Sequence, residues 1–328
     1  MLYKRSKQTY DCTNRGKMKR SVGVIGRGFV GGSLTQVLEE RGITVFSYDL
    51  AKKVINHGVM CDFANSIQQF VEHCESSDNT SFTQIYFVCV PTPMNEDGSC
   101  DTSIVAQVIG DLCSAHLSDG KQRIAVIKST IPPGTTEKFN ETLPQTQRFR
   151  VIHNPEFLRE ATALDDMRNQ DRIVLGGPRP YINTVKQFYE SVFPNVPIIK
   201  TSSTTSEMVK YFTNVHLAAR VVLSCEISQI CKALDEQGMN IDYDKVCEYS
   251  RYDKRLGGSH MTVPGVDGIP GARGHCFPKD LNALSALAKQ VGVTPIVMDA
   301  VWQKNLELVP KEHRDWEKMI GRAVSKKV

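Results

Sequence analysis

At 328 residues the chain is too long for one ordinary hydrophobic core and predicts two or three domains. Its 41% hydrophobic and 23% charged residues suit a globular protein, and no apolar run approaches the roughly 18 residues a membrane span needs, so no membrane partner is expected. The formal net charge of +4 gives little support to nucleic-acid binding, because seven Lys/Arg against Asp11 concentrate +6 in residues 1–20 and leave −2 on the rest.

That basic tail, 1–20, contains no apolar stretch of signal-peptide length. Residues 21–26 (SVGVIG) read as a buried strand, followed by a helix over about 29–41 and a second strand at 44–48. Further short apolar runs follow at 85–90, 123–128, 149–153, 172–177 and 196–200, separated by helix-length stretches, with a polar loop at 76–82. Such alternation implies an α/β fold, a doubly wound parallel sheet covered by helices on both faces. After residue 200 the character changes. Thr204 and Glu207 fit a capping box, and apolar residues then run at helical spacing to about Leu234 and end near Gly238. A helix of this length predicts a central helical domain built on one spine, which could serve as a dimer interface. A Gly/Pro-rich loop over 257–274 and helices near 279–290 and 295–308 follow. The expected division is therefore 21–203, 204–309 and a polar segment 310–328.

Gly26-Arg27-Gly28-Phe29-Val30-Gly31 is a GxGxxG between strand and helix, with Asp49 at the end of the next strand. The glycines allow a tight turn and close approach of a pyrophosphate, the helix N-terminus supplies amide donors, and the carboxylate takes ribose hydroxyls. An acid at 49 would repel a 2′-phosphate, so NAD is expected rather than NADP. Lys53 reads as solvated. Val90-Pro91-Thr92-Pro93 and Lys128-Ser129-Thr130 end two more strands, where open α/β sheets place ligands. Glu156 and Glu160 stand four apart in NPEFLRE, and Lys210 and Asn214 four apart on the long helix, on a face that turns apolar at Leu217 and Val221. Buried polar groups there are costly unless paired or used.

Cys276 precedes Pro278-Lys279-Asp280 as at a helix start, where the helix N-terminus and the lysine are expected to lower its thiol pKa, although by itself it reads equally as an inert buried thiol. The ten cysteines are scattered without a Cys-x-x-Cys pair, which argues against a disulfide framework or zinc ribbon and fits a reducing cytoplasm; no metal is expected.

In order, GRGFVG (26–31), VPTP (90–93), KST with PPGTT (128–136), NPEFLRE (154–160), EMVKYFTN (207–214), RLG (255–257) and GHCFPKD (274–280) resemble the nucleotide-sugar 6-dehydrogenases, the family of UDP-glucose and GDP-mannose dehydrogenases. The resemblance implies oxidation of a sugar C6 alcohol to a carboxylate by two NAD through a cysteine-bound intermediate, with Cys276 as nucleophile. It implies that Lys210 and Asn214 stabilise the alkoxide and oxyanion and that Glu156 acts as general acid/base. Thr130 and Asp280 would position water, and Asp280 could also orient Lys210. On the cofactor it implies Gly26, Gly28, Phe29, Val30, Gly31, Asp49, Lys53, Val90, Thr92, Thr130, Glu160 and Lys279. On the substrate it implies Glu156, Phe157, Leu158, Glu160, Lys210, Asn214, Arg255, Gly271 and Arg273. UDP-glucose is the default substrate, with GDP-mannose or a UDP-N-acetylhexosamine as alternatives and a homodimer through the long helix expected.

Two departures stand out. Arg273-Gly274-His275 replaces the family's usual Gly-Gly pair, and the loop from Arg255 to Cys276 is longer than usual. Residues 310–328 resemble at most the linker into the family's third domain, so an NAD- or nucleotide-binding subunit inactive alone is the non-enzymatic alternative. A 3-hydroxyacid or 6-phosphogluconate-type dehydrogenase is the other enzyme class, but it has no use for Cys276.

Overall fold

A computed structural model describes residues 21–50, 66–76, 83–115, 121–144, 148–265 and 268–326. The basic tail, Lys53 and all of the expected polar loop except Ser76 lie outside the described residues. Among the described residues, seven strands form one sheet: β1 (Ser21–Ile25), β2 (Thr44–Tyr48), β3 (Gln84–Val88), β4 (Arg123–Ile127), β5 (Phe149–His153), β6 (Ile173–Gly176) and β7 (Ile198–Thr201), in the order β2-β1-β3-β4-β5-β6-β7. Every pairing is parallel except β5 with β6, which meet antiparallel through His153 and Gly176. All five residues of β3, β4 and β5 are buried, which is why apolar side chains follow one another there instead of alternating, with the polar exceptions Gln84, Arg123, Arg150 and His153 buried as well.

Helices α1 (Phe29–Glu40), α2 (Ile67–Ser76), α3 (Ser103–Ser114), α4 (Thr135–Thr142), α5 (Ala163–Arg168) and α6 (Tyr181–Val192) cover the sheet. Leu34, Val37 and Phe188 pack with Phe87 on one face, and Phe70, Val105 and Leu112 with Tyr86 on the other. The order reverses between β1 and β3, so the carboxyl ends of these strands open a crevice of the kind dinucleotides occupy.

The long helix, α7, runs from Ser203 to Glu236. Its N-cap is Ser202, whose hydroxyl accepts from the Thr205 amide at 3.2 Å. The capping box expected from Thr204 and Glu207 does not form. The helix begins two residues earlier than that pair requires, and Glu207 is buried facing α4, accepting from the amides of Gly134 (2.6 Å) and Thr136 (2.8 Å). Gly134 has no side chain with which to cap α4, so a carboxylate from α7 satisfies those orphan donors across the two elements.

A helix not anticipated from periodicity, α8 (Tyr243–Ser250), follows, capped by Asp242. Then α9 (Phe277–Gln290) and α10 (Ile296–Leu308) pack on α7 around Ala218, Val222, Cys225, Ala272 and Val309. Residues 311–326 are polar in composition but packed. A short α11 (Asp315–Lys318) buries Trp316 in the same core, and Ala323 is buried beside it. Met94, just past β3, donates its amide to the Ala323 carbonyl and accepts from the Ser325 amide, both at 2.8 Å. Among the described residues no helix is long and apolar enough to cross a membrane.

Candidate active site

The turn after β1 is built by steric necessity. Gly26 adopts φ +88°, and a Cβ on it would lie 2.6 Å from the Cys89 carbonyl oxygen. A Cβ on Gly31 would lie 1.9 Å from the Gly26 carbonyl oxygen, so α1 can close onto β1 only through glycine. Gly28 differs, since a Cβ there would meet no protein atom within 4 Å. Its open side faces away from the protein at the first turn of α1, as a pyrophosphate cradle requires. Phe29 and Val30 begin α1, and Asp49 Oδ2 accepts from the Arg27 amide at 2.5 Å, joining carboxylate and loop. These residues fit a dinucleotide. On the same end of the sheet, Thr92 and Thr130 are buried, and the Val90 carbonyl accepts from Ser129 Oγ at 2.6 Å.

Facing this crevice lies a cluster of buried charge. Lys210 Nζ donates to Glu156 Oε1 (2.8 Å) and to the Glu156 carbonyl (2.7 Å). Glu156 Oε2 in turn accepts from the Leu158 amide at 2.6 Å, and Phe157 lies 5.7 Å from Lys210 Nζ at its ring centre. One turn along α7, Asn214 Nδ2 donates to Asp280 Oδ2, while Lys279 Nζ donates to Asp280 Oδ1, both at 2.5 Å. Asp280 therefore orients Asn214 and Lys279; the expected orientation of Lys210 by Asp280 is not found, because Glu156 already holds that lysine. Burial works against the Lys279 ammonium, but the adjacent Asp280 carboxylate together with Cys100 and Cys276 more than offsets it and keeps the pKa raised.

Cys276 is the N-cap of α9, half-buried, with Pro278 in the first turn. Its thiol is pushed up to about 12, chiefly by burial and then by Asp280; Lys210 and Lys279 oppose this and lose. The lowered pKa expected from the helix start is overturned, because desolvation of a thiolate exceeds what a helix terminus and two already paired ammonium groups return. Four charged side chains from three segments nonetheless act on one sulfur.

Glu160 stands at the edge of this cluster, its Oε2 3.2 Å from His275 Nδ1, and the His275 ring packs edge-on to Phe29 at 5.1 Å. His275 therefore joins the cysteine loop to the dinucleotide loop. Burial, and secondarily the nearby Arg322, depress its pKa, while Glu160 opposes them.

Not every residue implied by the resemblance gathers here. Arg255 is 89% exposed at its side chain and paired with Asp253. Gly271 donates its amide to Cys225 Sγ at 3.3 Å and packs on Val309, and Arg273 is drawn to Asp315 Oδ2 (3.4 Å) and the His313 carbonyl (3.0 Å).

Lys128, which the sequence placed at a strand end without naming it a site residue, is buried after β4 and donates to Asn154 Oδ1 at 3.0 Å. Burial lowers its pKa to about 8, with Glu156 opposing and Lys210 adding to the shift. A lysine directly following the apolar run Ile124–Ile127 was the available signal, since such a cation must be buried and therefore paired.

Residues 20–193 match the UDP-glucose/GDP-mannose dehydrogenase family, NAD binding domain, and residues 204–307 match the central domain of that family. The chain is 30% identical over 306 residues to the UDP-glucose 6-dehydrogenase TuaD of Bacillus subtilis, covering 87% of this chain and 63% of that protein. It is 29% identical to the UDP-glucose 6-dehydrogenase AglM of Haloferax volcanii, covering 86% and 68%. Among solved structures, a UDP-glucose dehydrogenase from Pyrobaculum islandicum superposes with a TM-score of 0.70 at 26% identity, over 90% of this chain and 70% of that one. The chain thus spans about two-thirds of the length of the relatives it matches.

Proposed function

Since the chain belongs to the UDP-glucose/GDP-mannose dehydrogenase family and carries that family's NAD-binding domain, we propose that it oxidises the C6 alcohol of a nucleotide sugar to a carboxylate, UDP-glucose being the first substrate to test. The observation that carries this reading is the convergence of Glu156, Lys210, Lys279 and Asp280 on the Cys276 thiol at the start of α9. An oxidation that stops at the carbonyl has no need of a thiol there. We assign residues 21–203 to cofactor binding and 204–309 to a central domain that brings the nucleophile to it.

NAD would be held at the Gly26–Gly31 turn and Asp49 and would supply the hydride acceptor for each of two oxidations at C6. In the first, Lys210 stabilises the developing alkoxide from a dry, fixed position, with Glu156 taking the hydroxyl proton. Cys276 then adds to the aldehyde. Because the resting thiol is protonated, its proton passes to the carbonyl oxygen as the carbon–sulfur bond forms, giving a thiohemiacetal. Loss of hydride from C6 and of the hydroxyl proton leaves a thioester. Asn214 is held by Asp280 as an amide donor for the oxyanion that forms when water adds, and Asp280 with Thr130 positions that water. Collapse expels the Cys276 sulfur, which regains its proton, and releases the carboxylate.

A homodimer through α7 belongs to the same proposal. Met208, Phe212, Leu223, Ile227 and Ile230 expose large apolar side chains along this helix, more than a solvated helix needs. A dimer by light scattering that dissociates on Leu223→Ser with Ile227→Ser supports it; a monomeric wild type at micromolar concentration removes it.

The functional reading is tested by the NADH formed per nucleotide sugar consumed. Two NADH per UDP-glucose, and no turnover with Cys276→Ser, are expected. NAD binding without NADH formation from UDP-glucose, GDP-mannose or their N-acetyl relatives would instead favour a subunit inactive alone.

A further inference from the structure

We propose that Arg322, carried to the mouth of the site by the segment after α11, binds a diphosphate where the dinucleotide loop meets the cysteine loop. The inference rests on the nucleotide-sugar reading above and adds a binding residue to it.

Three observations support it. The first is that the segment is fixed in place. Met94 and residues 323–325 exchange two backbone hydrogen bonds at 2.8 Å, and Ser325 Oγ donates to Asn95 Oδ1 at 2.9 Å and lies 3.3 Å from Asp101 Oδ2. Upstream, Trp316 is buried in the α7–α10 core. Between these anchors the chain turns tightly, with Arg322 N donating to the Met319 carbonyl (3.0 Å) and Gly321 N to the Val324 carbonyl (2.6 Å). Arg322 therefore stands one residue before the pairing with Met94, next to the VPTP turn that ends β3.

The second observation is its location relative to the site. Arg322 is close enough for its charge to act on His275, whose ring touches Phe29 of the dinucleotide loop and whose Nδ1 faces Glu160.

The third is the state of the surrounding cations. Lys210 is paired with Glu156, Lys279 with Asp280, Arg273 with Asp315 and Arg159 with Asp166. Arg322 is exposed and forms no ion pair among the described residues. A diphosphate carries charge that paired cations neutralise poorly, and a guanidinium presents the planar fork that phosphate oxygens match. The diphosphate is that of the sugar nucleotide or that of the dinucleotide, and the two are separated by the titrations below.

Calorimetric titration of the full chain with UDP and, separately, with NAD tests this for wild type, Arg322→Gln and Arg322→Lys. Loss of a charge-assisted bidentate contact predicts about tenfold weaker binding of one ligand to Arg322→Gln, partial recovery in Arg322→Lys, and a difference that shrinks as salt is raised. A loss confined to UDP assigns Arg322 to the sugar nucleotide, and a loss confined to NAD assigns it to the cofactor. Affinities for both ligands within about twofold of wild type, in a variant with an unchanged melting temperature, would overturn the proposal. Wild type that binds NAD but not UDP would sink the nucleotide-sugar reading, and the NAD titration would still decide the role of Arg322.

Discussion

The dinucleotide half of the site is made of backbone, whereas the nucleophile half is made of buried charge. Around Gly26 and Gly31 the arrangement is set by where a Cβ cannot go, and Asp49 accepts from the Arg27 backbone amide beside it. Around Cys276 the arrangement is set by two ion pairs, Glu156–Lys210 and Asp280–Lys279, whose members are almost entirely removed from water. A steric site depends on side-chain volume and is indifferent to pH. A desolvated charge site depends on every partner being present, because an uncompensated buried charge costs far more than the pair contributes. Substitutions that strike one half and spare the other should therefore separate the two.

The largest effect is expected from Lys210→Met. Removal of a preorganised donor from a dry site costs about 10²–10³ in kcat, and the stranded Glu156 carboxylate destabilises the fold by about 3–5 kcal/mol. Combining it with Glu156→Gln should restore much of the melting temperature and none of the turnover, while NAD binding stays within about twofold throughout. Next comes Gly31→Ala. With a Cβ forced 1.9 Å from the Gly26 carbonyl oxygen, it should destabilise the chain by about 1–3 kcal/mol or more and abolish NAD binding. Gly28→Ala sharpens the contrast. It should leave the melting temperature unchanged and weaken NAD about tenfold, since its methyl group meets only the ligand. Equal destabilisation by the two alanines would dissolve the distinction between packing glycine and ligand glycine.

The smallest effect concerns pH. His153, at the end of β5, is buried against Ser206 Oγ at 2.9 Å, and burial depresses its pKa to about 3. Between pH 6.5 and 3 the unfolded chain binds this proton and the native chain does not. Stability is therefore fully present above pH 6.5 and lost as pH falls toward 3, by at most about 1.4 kcal/mol per pH unit. Denaturant midpoints measured across that window should fall less steeply for His153→Leu than for wild type.

The same contrast explains what could be read from the sequence. The sheet, α1 and the dinucleotide turn were legible because their signals are local: continuous apolar runs, a glycine spacing, and an acid at the next strand end. Lys210, Asn214 and Cys276 were legible as a pattern, but their partners were not. Glu207 was read as capping its own helix and instead caps α4, 71 residues earlier in sequence at Thr136. Asp280 was read as a partner of Lys210 and holds Asn214. The thiol pKa took the opposite direction because burial, which no short motif reports, outweighs the helix start. The segment after 310 read as a polar linker because its two anchors, Trp316 and the pairing with Met94, are invisible to hydrophobic periodicity.

The most direct test of the nucleophile half is the rate at which iodoacetamide labels Cys276 as a function of pH, read by peptide mass spectrometry with and without UDP-glucose. The thiol is stored neutral, so labelling should be slow at pH 7, rise steadily beyond pH 9 without a plateau, and slow further when UDP-glucose is bound. Fast labelling that has already levelled off below pH 8 would mean a preformed thiolate and would contradict the account of how this sulfur is held.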